Sequence, residues 1–384
     1  MLPTLGTGPK ELENIVKHVL GPELCPLETT LVFWTQGRRI NGSLREQLEL
    51  LQLSQESTLL VEYDVRPPSP EPDLAISEPD WIRSVGIGLE GIVTGSFDRS
   101  VRLYLPPFSH APIQGKPTPD SVTTVCWLDR NRVATGSADG SIRIWSRQMD
   151  VEQVLKGHSS AVQNLIVSPD GKYVYSADYD GIVCQFHNDP EASTVPVVPR
   201  SQRPSRKAPP ATFYREQLAI KSWRGNESTI SSLLFNHDGT LMCIGWDGRV
   251  ALFSHPDCLP RGRFSLSKDV CSVCIMNMDG SGYLVTGHAD GSLRIYNLNC
   301  PGDDCHAVRR SAHDGWISGI AAAMTGRFVS CGHDGAVRVW ELQDLSQPVA
   351  SIREPSASKM LAVDWRDDVL AVVGQEKTLF TFRT

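Results

Sequence analysis

Carboxylates recur along this chain at a spacing that invites a chemical reading. In Gly136-Ser137-Ala138-Asp139-Gly140-Ser141-Ile142-Arg143-Ile144-Trp145 an aspartate sits in a turn, and a strand alternating polar and apolar residues leads to an aromatic six positions on. The same offset joins Asp98 to Tyr104, Asp180 to Phe186, Asp247 to Phe253, Asp290 to Tyr296 and Asp334 to Trp340, with Glu376 and Phe382 as a degenerate copy. Catalysis by acids needs a nucleophile, a base and an oxyanion site that converge, and no paired carboxylates stand out from these turns. No Gly-rich phosphate loop runs from a strand into a helix, and no H-E-x-x-H is present. Cys271 and Cys274 form a C-x-x-C, but three residues apart on a strand they point to opposite faces. Neither they nor Cys300, Cys305 and His306 have a second pair at zinc-site spacing.

The elements that must hold these acids repeat with them. Successive acids step by 41, 41, 67, 43, 44 and 42 residues, one long interval among near-constant ones. A period of about 40–45 residues, holding four short strands and a terminal Trp-Asp-like pair, marks a propeller blade. Residues 73 to 384 therefore resemble the WD-repeat family, with seven copies of which Trp closes only two. Residues 73–77 read as an extra strand that completes the last blade and closes the ring. In this family the turn acid hydrogen-bonds its own turn and, where present, a histidine ahead of the first strand. The resemblance thus makes Asp98, Asp139, Asp180, Asp247, Asp290 and Asp334 structural acids. It also points to His158 with Asp180, and His313 with Asp334 and Trp340, as buried polar networks.

The residue before each turn acid belongs at the rim of one propeller face, and three of them are large aromatics, Phe97, Tyr179 and Trp246. Trp81 and Trp316, at the starts of first strands, extend the same face. Rigid aromatics suit interface anchors, and packing between blades is the competing role.

A hydrophobic content of 40% with 21% charged residues is ordinary for a folded soluble protein, and the net charge of −7 argues against polyanion binding by the whole surface. With no apolar run near 18 residues, no membrane span is expected. Ten cysteines without a secretory leader read as reduced thiols, Cys126, Cys184, Cys243 and Cys331 as core fillers. The long interval is an insertion at about 188–223 containing SQRPSRKAPP, with Arg200, Arg203, Arg206 and Lys207. Its composition predicts a mobile basic loop, a solvated spacer or else a nuclear-import or RNA contact.

Ahead of the propeller, residues 10–21 place Leu12, Ile15, Val16, Val19 and Leu20 on one helical face, with Gly21 as a C-cap. A strand at 30–34, a turn at 36–39, a capped helical turn from Ser43 and a last strand at 59–63 follow. This order is most of a ubiquitin-like β-grasp over residues 1–65. The leading hairpin is missing, so the start reads as truncated or the domain as reduced. Residues 66–72, RPPSPEP, form an extended linker. The expected fold is mainly β: a seven-bladed WD-repeat propeller preceded by a small, incomplete ubiquitin-like α+β domain.

LSQESTLLVEYDV at 53–65, DLAISEPDWIRSV at 73–85 and the basic insertion after the third blade together resemble the Ytm-type ribosome-assembly proteins, the WD repeat protein twelve family. That resemblance implies a non-enzymatic scaffold of the precursor of the large (60S) ribosomal subunit, acting in rRNA processing in the nucleus, nucleolus and nucleoplasm. It implies docking on a Block-of-proliferation-type WD propeller that also holds a Pescadillo-type protein. It further implies removal from the pre-60S particle by a midasin-type AAA ATPase that grips the ubiquitin-like domain. Glu56 matches the family's glutamate that completes Mg²⁺ coordination in that ATPase; the chain has no cofactor of its own. A carboxylate on a loop suits this role because Mg²⁺ prefers hard oxygen ligands. The alternatives are a notchless-type assembly factor, for which eight blades rather than seven are expected, and a cullin-ligase substrate receptor. The latter often carries W-D-x-R at a blade end, where this chain has Trp145-Ser146-Arg147 and Trp340-Glu341-Leu342-Gln343.

Overall fold

In the computed structural model the described residues are 7–24, 31–35, 38–40, 43–50, 61–65, 72–108, 111–189, 195–197, 214–278, 281–298, 308–323, 326–345, 347–353 and 359–383. Contacts divide the chain into two compact units, Met1–Pro70 with Arg338–Ile352, and Glu71–Val337 with Arg353–Thr384.

The N-terminal elements are a helix Pro9–Leu24, strands Leu31–Thr35 and Arg38–Arg39, a helix Leu44–Leu50 and a strand Glu62–Val65. The first helix starts cleanly because Pro9 opens its first turn and Glu11 Oε2 accepts the Gly8 N–H at 3.0 Å. It runs on through Gly21 and Pro22 to Leu24, so Gly21 does not cap it. Leu31–Thr35 is the middle strand of a three-stranded antiparallel sheet. Leu12, Leu31, Phe33, Ile40 and Leu44 form the buried core there, with Val16 and Val61 against it. The expected order of helix, strand, helix and strand is present; the last strand spans Glu62–Val65, and residues 59 and 60, where its start was expected, lie outside the described residues.

The larger part is a ring of seven sheets. Their innermost strands are Ile82–Gly88, Val122–Trp127, Val162–Val167, Ile230–Phe235, Val270–Met278, Ile317–Ala322 and Met360–Arg366. Each pairs antiparallel with the next strand outward, and each ladder skips one residue at the same place: Arg83, Thr123, Gln163, Ser231, Cys271, Ser318 and Leu361. A bulge of this kind re-aims one side chain per strand. The ring closes as expected, Pro72–Ser77 pairing antiparallel with Thr378–Arg383 as the outermost strand of blade seven.

Neighbouring blades interlock through apolar clusters. Val93, Val101 and Leu103 of blade one meet Val122, Val133 and Trp145 of blade two. Glycine on the second strand lets the next blade approach: a Cβ at Gly95 lies 2.5 Å from Val122 Cγ1, and one at Gly136 lies 2.7 Å from Val162 Cγ1. The repeated Gly-Ser ahead of the turn acid thus makes room for a β-branched residue of the following blade.

The insertion departs from expectation. It interrupts blade three between its third strand, Ile182–His187, and its outermost, Lys221–Arg224. Within it Val195–Val197 and Tyr214–Leu218 pair with each other, and Tyr214–Leu218 runs parallel to Val151–Lys156, so blade two has six strands. Gln153 Nε2 donates to Gln217 Oε1 at 2.7 Å, and Lys156 Nζ pairs with Glu216 at 2.7 Å. The return leg is strand because it satisfies the open edge of blade two, a gain that local composition does not display. Arg200, Arg203, Arg206 and Lys207 lie outside the described residues, as does Glu56.

Candidate interaction face

One end of every blade is built alike. The N–H of the residue before the turn acid donates to the carbonyl of the residue just before the first strand. The pairs are Phe97 with Trp81, Ala138 with Ser121, Tyr179 with Ala161, Trp246 with Thr229, Ala289 with Asp269, His333 with Trp316 and Gln375 with Lys359. Since the first two strands of a blade are antiparallel, these seven pairs ring the same face. The five aromatics singled out in the sequence all stand on it. Trp81 and Phe97 are 42% and 41% exposed and meet edge to face at 6.1 Å, and Tyr179 is 59% exposed. Trp246, of blade four, is only half-exposed because it reaches across blade five to Trp316 of blade six, with ring centroids 5.7 Å apart. Trp316, 47% exposed, also stacks on His333 at 5.6 Å.

His333 occupies the same turn position as Phe97, Tyr179 and Trp246, and was legible there. Its pKa is lowered by burial and by the nearby cations Lys359 and Arg83. Below the rim lie the seven bulge residues, which line an axial cavity of about 380 Å³ together with Trp246, Trp316 and His333.

Behind the face the turn acids hold the loops. Asp98 Oδ1 accepts Ser100 N–H at 2.9 Å, Asp139 Oδ1 accepts Ser141 N–H at 2.9 Å, and Asp290 Oδ1 accepts Ser292 N–H at 2.9 Å. Asp247 does the same for Arg249 at 3.1 Å. Burial works to raise the Asp98 and Asp139 pKa values, but hydrogen bonds, from Arg102 and Ser100 and from Ser141 and Arg143, outweigh it and hold both below the usual carboxylate range. His313 joins Asp334 at 2.8 Å and Ser330 at 2.8 Å.

Blade three corrects the sequence reading. His158 Nδ1 lies 3.0 Å from Asp178 Oδ2, not on Asp180, and its Nε2 lies 2.6 Å from Ser176 Oγ. Asp178 Oδ1 also accepts the N–H groups of Asp180 at 3.0 Å and Ile182 at 2.9 Å. Of the two acids in Asp178-Tyr179-Asp180, only Asp180 stands six positions before an aromatic, Phe186. Asp178 ends the buried strand with its carboxylate inside the blade, whereas Asp180 is exposed at the turn. Sequence reasoning also missed Glu78, the buried counterpart of these histidines in blade one. It accepts from Thr94 Oγ1 at 2.6 Å and Tyr104 OH at 3.0 Å and pairs with Arg102 at 2.6 Å.

No described thiol is poised as a nucleophile. Burial pushes Cys126, Cys271, Cys274 and Cys331 up to about 12, and raises Cys184, Cys243 and Cys258 as well. Among the described residues no group of three or more His, Cys, Asp or Glu is placed to hold a metal, and no helix is long and apolar enough to cross a membrane.

The model of the WD domain, G-beta repeat, matches residues 112–146, 149–187, 218–254 and 305–341. Each match takes the fourth strand of one blade, counted from the axis, and three strands of the next, the phase that ring closure requires. The inner three strands of blades one, five and seven lie outside the matches, and their third strands end in or near Tyr104, Tyr296 and Phe382. The chain is also similar along nearly its whole length to curated proteins named "Ribosome biogenesis protein WDR12 homolog". The Nematostella vectensis protein is 22% identical over 378 residues, covering 93% of this chain and 88% of the relative. The Drosophila erecta protein is 22% identical over 379 residues, covering 95% and 86%. The Drosophila mojavensis protein is 22% identical over 358 residues, covering 90% and 82%.

Proposed function

We propose that this chain, a seven-bladed WD-repeat protein of the WD repeat protein twelve (Ytm) type, is a non-catalytic scaffold in assembly of the large ribosomal subunit. The observation that carries the reading is similarity over 90–95% of the chain to proteins named for ribosome biogenesis, N-terminal part included. The propeller face supports it: rigid aromatics at Phe97, Tyr179, Trp81 and Trp316 stand exposed on one side of a closed ring, as a docking surface requires. In this reading the protein works in the nucleus and nucleolus on pre-60S particles. The propeller docks on a Block-of-proliferation-type WD protein held with a Pescadillo-type protein. The basic residues Arg200, Arg203, Arg206 and Lys207 serve rRNA phosphates or an import receptor.

Release falls to the N-terminal part, which a midasin-type AAA ATPase grips through Glu56 as the last oxygen ligand of its Mg²⁺. Glu56→Ala should leave folding and particle loading intact while the protein stays on the particle. Particles purified with the tagged variant and incubated with ATP and the ATPase are the test. If they shed the variant at the wild-type rate, Glu56 is not the grip.

A further inference from the structure

The seven bulges aim seven side chains into the axial channel, and one of them is unlike the rest. Thr123, Ser231 and Ser318 turn their hydroxyls back to backbone carbonyls. Thr123 donates to Gly136 at 3.0 Å, Ser231 to Ile244 at 3.1 Å and Ser318 to Met360 at 2.6 Å. Gln163, Cys271 and Leu361 are uncharged. Arg83 is the tier's single ionised group, partly buried, and has no hydrogen-bond or ion-pair partner among the described residues. Desolvation of its guanidinium acts without an offsetting carboxylate.

No acidic residue is among those described as lining the cavity. Its surroundings are cationic: Arg83 and Lys359 both lie close enough to His333 to disfavour its protonation. Among the seven rim pairs the one acid, Asp269 of blade five, is exposed and does not line the cavity. A half-buried cation without a counterion is costly, and the cost is offset when a binding partner supplies the anion.

We propose that the axial channel docks an acidic peptide segment: an aspartate or glutamate side chain of the partner enters to pair bidentately with Arg83, and an apolar neighbour lies against Trp246 and Trp316. A guanidinium matches a carboxylate edge to edge, which a lysine at this position could not do. Of the two cations near His333 only Arg83 lines the cavity, and one guanidinium there suits a single carboxylate better than a phosphate dianion. Trp316 already has His333 stacked on it and Trp246 against its edge, so the roof offers an apolar ledge rather than a platform for nucleic-acid bases. This inference stands apart from the assembly role.

The test is fluorescence anisotropy with the purified full-length chain and a fluorescein-labelled peptide carrying one glutamate between two leucines. Replacing that glutamate by glutamine, or Arg83→Met in the protein, should each weaken binding about tenfold or more, the loss of one charge-assisted pair. Arg83→Lys should recover only part of the loss. Because Arg83 makes no hydrogen bond or ion pair among the described residues, Arg83→Met should not lower the melting temperature, which separates lost docking from lost folding. Equal affinity for the two peptides, unchanged affinity in Arg83→Met, or no binding at millimolar peptide would each refute the site. A phosphoserine peptide that binds more tightly than the glutamate one overturns the carboxylate assignment. Arg83-dependent displacement of the peptide by single-stranded RNA overturns the choice of partner.

Discussion

A single acid decides how blade three is held, and it is not the one that the repeat spacing picks out. Asp178 is fully buried and supports His158 and two turn N–H groups at once, whereas Asp180 faces solvent. Asp178→Ala should destabilise the protein by about 3 kcal/mol through the unsatisfied donors it leaves, while Asp180→Ala should stay within about 0.5 kcal/mol. Urea midpoints of the two variants check this. His158 carries a pH dependence as well, because burial lowers its pKa despite the neighbouring Asp178. An unfolded imidazole binds its proton near pH 6.5, and the folded ring binds it only at lower pH, so protons favour the unfolded chain below that value. Stability should therefore fall from pH 7 to pH 5 by up to about 1.4 kcal/mol per pH unit for this residue. His158→Asn should show a shallower slope over the same window, with part of the slope retained because His288 and His333 are shifted in the same direction. An unchanged slope would place the proton elsewhere. The spacing of turn acids was legible because in five blades the carboxylate at that position accepts a turn N–H; that Asp178 and not Asp180 faces inward depends on where the strand gives way to the turn, which composition does not report.

At the scale of elements, closure of the ring depends on one short strand. Ile76, 4% exposed, pairs with Leu379 and packs with Ile82, Ile87 and Val373, joining blade seven to blade one. Ile76→Asp puts an unpaired carboxylate into that seam and should cost more than about 3 kcal/mol. Asp73→Ala, on the same strand, removes only an exposed ion pair with Arg383 at 3.3 Å and should change stability by less than about 0.5 kcal/mol. Thermal unfolding of both variants reads the difference, and equal melting temperatures would mean the strand is dispensable. The closing strand was readable from residues 73–77 because an apolar run after a Pro-rich linker has few other uses. The insertion was not. Its Pro, Ser and Arg content suggests a loop throughout, but the segment that pairs with blade two does so through backbone groups and the buried Gln153–Gln217 bond. Neither signal is periodic.

At the scale of the molecule, seven copies of one unit make a rigid ring whose two kinds of surface come from different tiers of the same strands. The rim residues were legible because the repeat fixes their position. The channel tier was not, since a bulge shifts pairing by one residue and only the ladder shows which side chain it re-aims. Scaffolding by the ring, rather than catalysis, is the central claim, and purification of the tagged chain from nuclear extract tests it most directly. The account predicts sedimentation with precursors of the large ribosomal subunit, and recovery of large-subunit proteins and a second WD propeller by mass spectrometry. Recovery away from ribosomal precursors, with cullin-ligase components in their place, would contradict it.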